Sequence, residues 1–432
     1  KVESTEALND SDAADFITNA PRGCLTARLI GYAGTGKTLS NSICLRQHLR
    51  NNRQFKVALT APTNKATYVL RQMSPWAKDF AGIKFCTIHS ALGLVLKERD
   101  GTQELVQSRD EPECFSNTDL IAVDEISMAN KDLTARIGYA QNRYGTKVIL
   151  MGDPLQLPPV NETSSPAFDI PGPRWELKQV MRTAEGNPVR QLVDAVRTQI
   201  AEGMDPDWTN LGRIIRFDPT NTNVGVWWLN KELMLPLLKH AVCSKRAKEN
   251  PDQVRVLCWT NNKCKYWNSI ARETLWGPNA PQFVTGDKLV TLSPTQNKGL
   301  IIFNTSTDLE VLHTNQTVHR GIEAWQLTVK ATLTDRETII WAPTIKGKAN
   351  LTKTLKNYAD AKAWPMYWDL KHSFTDIDHG YALTVHRAQG STFQDCFVDL
   401  VDIHFCQRPT ERRSLIYVAL SRAAKRVFCL VK

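Results

Sequence analysis

Eight residues near the start of the chain, GYAGTGKT at positions 31–38, have the strongest chemical signature in the sequence. They fit the pattern G-x-x-x-x-G-K-[ST], in which glycines let backbone N–H groups point at phosphate oxygens. The amine of Lys37 balances phosphate charge, and the hydroxyl of Thr38 can ligate Mg²⁺. We therefore predict a nucleoside triphosphate site. Its predicted binding residues are Gly34, Thr35, Gly36, Lys37 and Thr38.

A second chemical feature is the carboxylate pair Asp124 and Glu125, directly after the apolar run 120–123. A carboxylate at the end of a buried strand can hold Mg²⁺ through its water shell, and its neighbour can deprotonate the water that attacks a phosphate. An Asp-Glu pair is more often a solvated surface feature. The preceding apolar run and the upstream phosphate loop favour the catalytic interpretation.

Strand-like apolar runs alternate with helical segments and end in polar motifs. The phosphate loop lies between a predicted strand at 25–30 and a predicted helix at 39–49. The runs 55–59 and 147–151 lead into TAPTNKA and GDPLQLPPV in the same way. This alternation is typical of an α/β fold with a parallel sheet, whose ligand groups gather at the carboxyl ends of the strands.

The composition favours a polyanionic partner. Lysine and arginine number 54 against 44 aspartates and glutamates, a net charge of +10, and the pI is about 9.1. The ten cysteines form no C-x-x-C pair and no Cys/His metal spacing, so we expect reduced thiols in a cytoplasm-like compartment. No apolar run approaches the roughly 20 residues that span a bilayer. Because the chain begins at Lys1 and not at Met, the sequence does not show where the natural protein starts or whether a leader was removed.

The motifs also occur in a recognisable order. They are GYAGTGKT, LTAPTNKA, TIHSALG, VDEIS, GDPLQLPPV, QVMRT, YALTVHRAQGSTF and IYVALSRA. From about Leu25 to its C-terminus the chain resembles the superfamily 1 helicases, and within them the RecD-like branch. Each motif alone is moderately specific, whereas the ordered series is highly specific.

The resemblance implies an α/β fold of two RecA-like P-loop NTPase lobes, with ATP and Mg²⁺ between them and single-stranded DNA across them. It also implies two insertions, a β-hairpin pin and a small SH3-like β-barrel domain with a helical extension. The runs 254–259 and 426–431 would be the first and last strands of the second lobe. The expected bounds are 1–175 for the first lobe, about 88–113 for the pin, 176–293 and 376–432 for the second lobe, and 294–375 for the SH3-like domain.

The resemblance also assigns catalytic roles. Gln156 would sense the γ-phosphate, and Arg182 and Arg422 would reach it from the second lobe, where a guanidinium stabilises charge on the transferring phosphoryl group. Gln389 and Gly390 would connect the nucleotide site to the DNA. The predicted catalytic set is Lys37, Asp124, Glu125, Gln156, Arg182 and Arg422, with Thr38 and Asp124 as metal ligands.

Polar residues after other strands would contact the single strand without reading its sequence. They are Pro62, Thr63, Asn64 and His89 in the first lobe, and Thr384 and His386 in the second. A lone histidine is more often structural, so only the motif context favours binding for the two histidines.

One departure from the family pattern affects recognition of the nucleobase. Members of the family carry an adenine-reading glutamine upstream of the phosphate loop, whereas Asp12 stands there in this chain, and a carboxylate accepts but does not donate, so we expect looser base selectivity.

A second departure lies in GLVLKERDGTQELVQ, residues 93–107, which reads as a β-hairpin with Asp100-Gly101 at its turn. In this family such an insertion acts as a pin that splits the duplex. Because no Phe, Tyr or Trp lies between Ile88 and Glu113, we expect this pin to be a steric wedge. An ordinary surface hairpin stays an alternative. The late aromatic residues Trp364, Tyr367 and Trp368 would brace the pin or belong to a core.

Together these features predict an ATP-dependent DNA helicase that moves 5′ to 3′ on single-stranded DNA and unwinds duplex. We expect a monomer that acts on single strands and junctions, with single-strand-binding or replication proteins as further partners and no membrane. One alternative is a translocase that displaces bound proteins but unwinds weakly, and another is an RNA-directed motor. A GTPase is disfavoured because NKCK at 262–265 lacks the aspartate of N-K-x-D. A P-loop kinase or a non-enzymatic binder would not need Lys37, Glu125 and both arginines together.

Overall fold

The computed structural model of the protein describes residues 25–108, 112–177, 187–214, 223–297 and 300–431. The chain divides into two compact units. The first unit contains the described residues up to 96, those of 105–225, and 406–424. The second contains residues 97–104, the described residues of 226–405, and 425–431.

The strands are bounded as follows. They are β1 (Thr26–Gly31), β2 (Val57–Ala61), β3 (Ile83–Thr87), β4 (Leu94–Arg99), β5 (Thr102–Gln107), β6 (Leu120–Val123), β7 (Lys147–Gly152), β8 (Arg174–Leu177), β9 (Gly225–Leu229), β10 (Val254–Cys258), β11 (Lys288–Thr291), β12 (Thr295–Asn297), β13 (Leu300–Phe303), β14 (Asp308–His319), β15 (Ile322–Ala331), β16 (Glu337–Pro343), β17 (Ile377–His379), β18 (Ala382–Thr384), β19 (Phe393–Asp399) and β20 (Ala423–Leu430).

The α-helices connect these strands. They are α1 (Lys37–Asn51), α2 (Asn64–Met73), α3 (Ile88–Ala91), α4 (Glu113–Ser116), α5 (Lys131–Tyr144), α6 (Pro188–Ala201), α7 (Trp208–Ile214), α8 (Lys231–Cys243), α9 (Lys245–Glu249), α10 (Asn261–Trp276), α11 (Ile345–Asp360), α12 (Trp364–His372), α13 (Val385–Ala388), α14 (Leu400–His404) and α15 (Pro409–Ser421). Short 3₁₀ turns occur at Pro75–Asp79, Ile126–Met128 and Pro166–Phe168.

The first unit is built on a six-stranded sheet in the order β3-β2-β6-β7-β1-β8, and its neighbouring strands pair in parallel. Strand β6 shows why the sheet is covered on both faces. Leu120 and Ala122 pack into one buried cluster, and Ile121 and Val123 pack into the other, because successive side chains of a strand point to opposite faces. Apolar residues on both faces require helices on both sides, as in other parallel sheets. The predicted α/β fold with parallel strands is confirmed.

The second unit contains two larger sheets. One has the order β18-β10-β19-β20-β9, and its strand β10 pairs in parallel with both β18 and β19. The other is antiparallel, with the order β16-β15-β14-β11-β17. The antiparallel sheet includes β11 and β17, so it begins before and ends after the predicted insertion at 294–375. The assignment of this insertion as an SH3-like barrel stays a prediction.

The predicted hairpin is present as β4 and β5, which pair with each other. Its turn residues Asp100 and Gly101 have φ values of 46° and 81°. Positive φ at both central positions is the geometry that an Asp-Gly turn favours in two-residue hairpins. The role of the hairpin as a pin stays a prediction.

The tip of the hairpin, residues 97–104, belongs to the second unit, where it meets α12. A Cβ added to Gly101 would lie 2.8 Å from the Trp364 ring, so the turn backbone rests directly on the indole. The Glu98 carboxylate Oε1 lies 2.8 Å from Nε2 of His372, also on α12. The hairpin has no aromatic of its own, but a distant segment places one against its turn.

The predicted lobe boundary at residue 175 falls inside β8, which pairs with β1 as the edge strand of the first sheet. The sequence of β8, RWEL, is half charged and does not read as a strand. The division into lobes stays a prediction. Within the described residues, no helix is both long enough and apolar enough to cross a membrane.

Candidate functional site

The phosphate loop connects β1 to α1 and depends on its glycines. Gly34 and Gly36 both have φ of 83°, a left-handed conformation that glycine adopts without strain. At Gly31 a Cβ would lie 2.5 Å from Oγ1 of Thr35, which donates a hydrogen bond to the Tyr32 carbonyl at 2.9 Å. The loop therefore closes tightly on itself just before the N-terminus of a 15-residue helix, a position that favours anions.

Lys37 and Thr38 begin that helix, and their side chains reach in different directions. The Lys37 amine donates to the carbonyls of Gly31 at 2.6 Å and Tyr32 at 3.1 Å, so it lies across the loop. The Thr38 hydroxyl donates to Oδ2 of Asp124 at 2.8 Å. This contact brings together two predicted metal ligands that are 86 residues apart in the chain.

Asp124 and Glu125 follow β6 directly. The Asp124 backbone N–H donates to the Thr60 carbonyl on β2 at 2.8 Å, and its Oδ1 accepts from the Glu125 N–H at 2.8 Å. Glu125 has φ of 54°, which is uncommon for a residue with a side chain and directs the chain sharply away from the strand. The parallel sheet and this turn together fix the position of both carboxylates.

The pKa of Glu125 is raised above its ordinary value. The main cause is burial, and the negative charge of Asp124 adds to it, while the positive charges of Arg422 and Lys37 act in the opposite direction. A carboxylate with a raised pKa is a stronger base when ionised, which suits proton abstraction near neutral pH. The cluster therefore contains a candidate base, two metal-ligand candidates and two cations.

A buried bridge that we did not predict supports the phosphate loop. The Tyr417 hydroxyl on α15 donates to Oδ2 of Asp153 at 2.8 Å and accepts from the Ala33 N–H at 2.9 Å. Both side chains are fully buried, and burial raises the pKa of both Asp153 and Tyr417. The motifs GDPLQLPPV and IYVALSRA contain these residues, but their spacing gives no sign that the two side chains meet.

Gln156 and Arg422 occupy the same unit as the loop. Gln156 is 5% exposed, and its backbone N–H donates to the Asp153 carbonyl at 3.2 Å. Arg422 is 2% exposed and follows α15, where its Nε donates to the Val418 carbonyl at 3.1 Å. Its charge lowers the pKa of Glu125, so the structure brings Arg422 to the carboxylates. The predicted residues Arg182 and Asp12 lie outside the described residues.

The predicted DNA-contacting residues of the first unit lie at one sheet edge. Strands β2 and β3 run in parallel and end in register, with Ala61 opposite Thr87. Pro62, Thr63 and Asn64 therefore lie beside His89. Burial lowers the pKa of His89, and a hydrogen bond with the Pro62 backbone partly offsets this effect, so the histidine is tied to the same edge.

The second unit repeats this arrangement. Strands β10 and β18 end in register, with Cys258 opposite Thr384. Thr384 caps α13 and accepts from the Arg387 N–H at 3.4 Å, and His386 lies on the same short helix. Thr260, which we did not predict, follows β10, and its backbone N–H donates to the Asp402 carboxylate at 2.8 Å. The sequence did contain a signal for Thr260. A Thr-Asn pair follows β2 at Thr63-Asn64, and the same pair follows β10 at Thr260-Asn261.

Gln389 and Gly390 follow α13 in the second unit. Gln389 is 8% exposed, and its N–H donates to the His386 carbonyl at 3.4 Å. Gly390 has φ of 77°, a left-handed turn conformation. Both residues are thus fixed to the segment that contains Thr384 and His386, and their predicted role at the nucleotide stays a prediction.

Comparison with known proteins agrees with the motifs. Residues 11–214 match the AAA domain family, and residues 379–430 match the UvrD-like helicase C-terminal domain. The uncharacterized protein R530 of Acanthamoeba polyphaga mimivirus is 24% identical over 489 aligned residues, which cover 94% of this chain and 95% of that protein. The ATP-dependent DNA helicase dda of Enterobacteria phage T4 is 25% identical over 438 residues, which cover 92% of each chain. These matches bear out the resemblance to the superfamily 1 helicases.

A solved helicase structure shares the fold. The Pif1 helicase from Bacteroides, in complex with ADP-AlF3 and single-stranded DNA, superposes with a TM-score of 0.54 at 15% identity, covering 99% of this chain and 92% of that one. The likeness shows that the α/β units have the RecA-like fold of this helicase. The similarity to the ATP-dependent DNA helicase dda bears out the predicted enzyme class, an ATP hydrolase.

Proposed function

We propose that the protein is an ATP-driven DNA helicase that moves 5′ to 3′ along single-stranded DNA and separates duplex strands. The observation on which this proposal rests is the cluster in the first unit. There the Thr38 hydroxyl bonds to Asp124 at 2.8 Å, and Lys37 and Arg422 both act on the pKa of Glu125. Such a set of groups suits cleavage of a phosphoanhydride.

Each group has a separate task. The Lys37 amine, now bonded to two loop carbonyls, would exchange them for phosphate oxygens. Thr38 and Asp124 offer hydroxyl and carboxylate oxygens, the donor types that Mg²⁺ prefers, so they fit a Mg²⁺ ion that enters with the nucleotide. Glu125 would take a proton from the attacking water, and Arg422 would stabilise charge on the phosphoryl group.

The strand-end residues support a nucleic-acid substrate. Pro62, Thr63 and His89 lie at one edge of the first sheet, and Thr384 and His386 lie at the corresponding edge of the second. Threonine hydroxyls and helix N-termini can bind phosphates without reading bases. The net charge of +10 favours the same partner. DNA and single strands are proposed from the similarity to dda and to the Pif1 helicase, and 5′-to-3′ movement from the resemblance to the RecD-like branch.

We assign the hairpin the role of a wedge. Opening one base-pair step costs about 1.4 kcal/mol on average, and the tip has no aromatic side chain of its own on which a freed base could stack. Its turn rests on Trp364, and Glu98 lies 2.8 Å from His372, so α12 supports the tip from behind. A supported wedge would separate strands when the motor pulls one of them past it.

The test is the rate of ATP hydrolysis with and without oligo(dT), followed by unwinding of duplexes with either a 5′ or a 3′ single-stranded tail. We expect DNA to stimulate hydrolysis and only the 5′-tailed duplex to be unwound. Hydrolysis that DNA does not change would contradict the proposal, and preference for the 3′ tail would contradict the direction. Strong stimulation by oligo(rU) and not by oligo(dT) would indicate an RNA-directed motor. Displacement of streptavidin from a biotinylated strand without unwinding would indicate the translocase.

A further inference from the structure

Helix α11 has one apolar face and one basic face. The apolar residues Leu351, Leu355 and Tyr358 of α11 pack against a buried cluster that includes Leu370 of α12 and Phe374. This packing fixes the helices on the antiparallel sheet. It also determines which residues of α11 point outward.

The outward face of α11 is rich in lysine. Lys346, Lys353 and Lys356 are spaced by seven and three residues, which places them on one side of a helix, and all three are exposed. None of the three forms an ion pair with another residue that the structure describes. Residues 345–373 contain six lysines and two aspartates, so this short segment has a net charge of +4 out of +10 for the whole chain. Exposed lysines are often only solvated, so the location of these three lysines in the fold is needed to argue that they bind a partner.

Helix α11 packs against α12, which contacts the hairpin tip. Trp364, which begins α12, touches the hairpin turn at Gly101, and His372, which ends α12, lies 2.8 Å from Glu98. If the hairpin tip is the point at which strands separate, α11 belongs to the helix pair at that point, and its lysines are available to DNA that approaches the tip. This step rests on the proposed function.

We propose that the outer face of α11, with Lys346, Lys353 and Lys356 as its principal contacts, binds the phosphates of the duplex ahead of the hairpin. The three lysines span about 15 Å along the helix, and duplex DNA offers one phosphate charge per roughly 1.7 Å of its axis. Lysine is a flexible point charge, which suits contacts that must form and break at any sequence. Holding the duplex at this face would keep it against the wedge while the motor pulls.

The test compares two triple variants that lose the same charge. The face variant is Lys346→Gln, Lys353→Gln and Lys356→Gln. The control changes three exposed lysines on other elements, Lys131→Gln, Lys239→Gln and Lys245→Gln. Each protein is titrated onto a blunt duplex without tails, and separately onto oligo(dT), over a series of salt concentrations by fluorescence anisotropy.

We expect the face variant to bind the blunt duplex at least about tenfold more weakly, and the slope of log affinity against log salt to fall by about 2 to 3, since each phosphate contact contributes about 0.9. Oligo(dT) binding and oligo(dT)-stimulated hydrolysis should match those of the wild type, and the control variant should keep its duplex affinity. Unwinding by the face variant should be slower.

Three outcomes would overturn the proposal. The first is equal loss of duplex binding in both triple variants, which would reflect bulk charge. The second is an equal loss of oligo(dT) binding, which would make the face a single-strand contact. The third is unchanged duplex binding together with lysine-dependent binding of a poly-glutamate peptide, which would indicate an acidic protein partner. If DNA does not change the rate of hydrolysis by the wild type but duplex binding still requires the three lysines, the result contradicts the proposed motor function and supports the duplex-binding surface.

Discussion

The contact between the hairpin turn and α12 can be tested with a single methyl group. Gly101 has φ of +81°, and a Cβ at this position would lie 2.8 Å from one atom of the Trp364 ring and 3.0 Å from another. The substitution Gly101→Ala therefore has two costs. One is the left-handed backbone, roughly 1–2 kcal/mol for a residue with a Cβ, and the other is displacement of the indole or of the turn.

A second glycine separates these two costs. Gly321 has φ of +77° in the turn between β14 and β15, where it follows Arg320 with φ of 52°, as Gly101 follows Asp100 with φ of 46°. A Cβ on Gly321 meets no atom within 4 Å. Gly321→Ala therefore has the cost of the left-handed backbone without the collision. The difference in unwinding rate between the two variants measures the effect of the contact with Trp364.

The size of the difference follows from the buried area. An aromatic side chain buries about 150–250 Å², and if the turn covers roughly a quarter of the Trp364 ring, about 50 Å² is lost. At about 25 cal/mol per Å² this is ~1.3 kcal/mol, which is close to a tenfold shift in the equilibrium constant for docking of the hairpin on α12. We expect Gly101→Ala to unwind a 5′-tailed duplex about tenfold more slowly than Gly321→Ala.

The assay is single-turnover unwinding of a fluorescent 5′-tailed duplex, with oligo(dT)-stimulated hydrolysis measured on the same preparations. Trp364→Ala should reproduce the loss seen with Gly101→Ala, and all three variants should hydrolyse ATP at close to the wild-type rate. Equal unwinding by the two glycine variants would show that docking on Trp364 has no role in strand separation. A parallel loss of hydrolysis would show that the hairpin acts on the motor and not as a wedge.

Three further predictions concern the nucleotide site. Lys37→Ala should abolish ATP hydrolysis while oligo(dT) binding by anisotropy stays near the wild-type value, and retained turnover in the folded variant would exclude Lys37 from the site. Glu125→Gln should bind nucleotide but lose turnover. Because the pKa of Glu125 is raised, the rate of single-turnover hydrolysis by the wild type should fall as the pH drops through that raised pKa. A rate that does not change with pH would contradict a role of Glu125 as the base. Tyr417→Phe removes the hydroxyl that joins Asp153 to the phosphate loop, so the free energy of unfolding, measured by thermal denaturation, should fall by about 1–3 kcal/mol. The control Tyr139→Phe changes a residue that is 67% exposed, and its free energy of unfolding should stay close to the wild-type value.

Much of the site could be predicted because its parts are local. The pattern GYAGTGKT specifies left-handed glycines and a helix start within eight residues, and the structure has φ of 83° at Gly34 and Gly36. The strand before Asp124 was predicted with its observed bounds, Leu120–Val123, because four consecutive apolar residues fit a strand that is buried on both faces. The Asp100-Gly101 turn followed from the positive φ values that such a turn requires.

Other parts were missed because short-range patterns were weak. Strand β8 at the predicted lobe boundary has only two apolar residues, and it is stabilised as a strand by its pairing with β1. The antiparallel sheet includes β11 and β17, which flank the predicted insertion and pair with each other although they are far apart in sequence. Pairing partners of this kind depend on which edges meet in the fold, and residue types alone do not specify them.

By itself, the sequence determined the local geometry of the individual motifs, the α/β class and the family resemblance, since each depends on residue types at fixed short spacings. Only the tertiary structure decided which motifs act on one another. It placed the Tyr417 hydroxyl between Asp153 and Ala33, 264 and 384 residues away in the chain, and it placed Trp364 behind a hairpin that has no aromatic of its own. The physical reason is that such contacts come from the packing of buried surfaces between distant segments, and no spacing within a motif records which surfaces will meet.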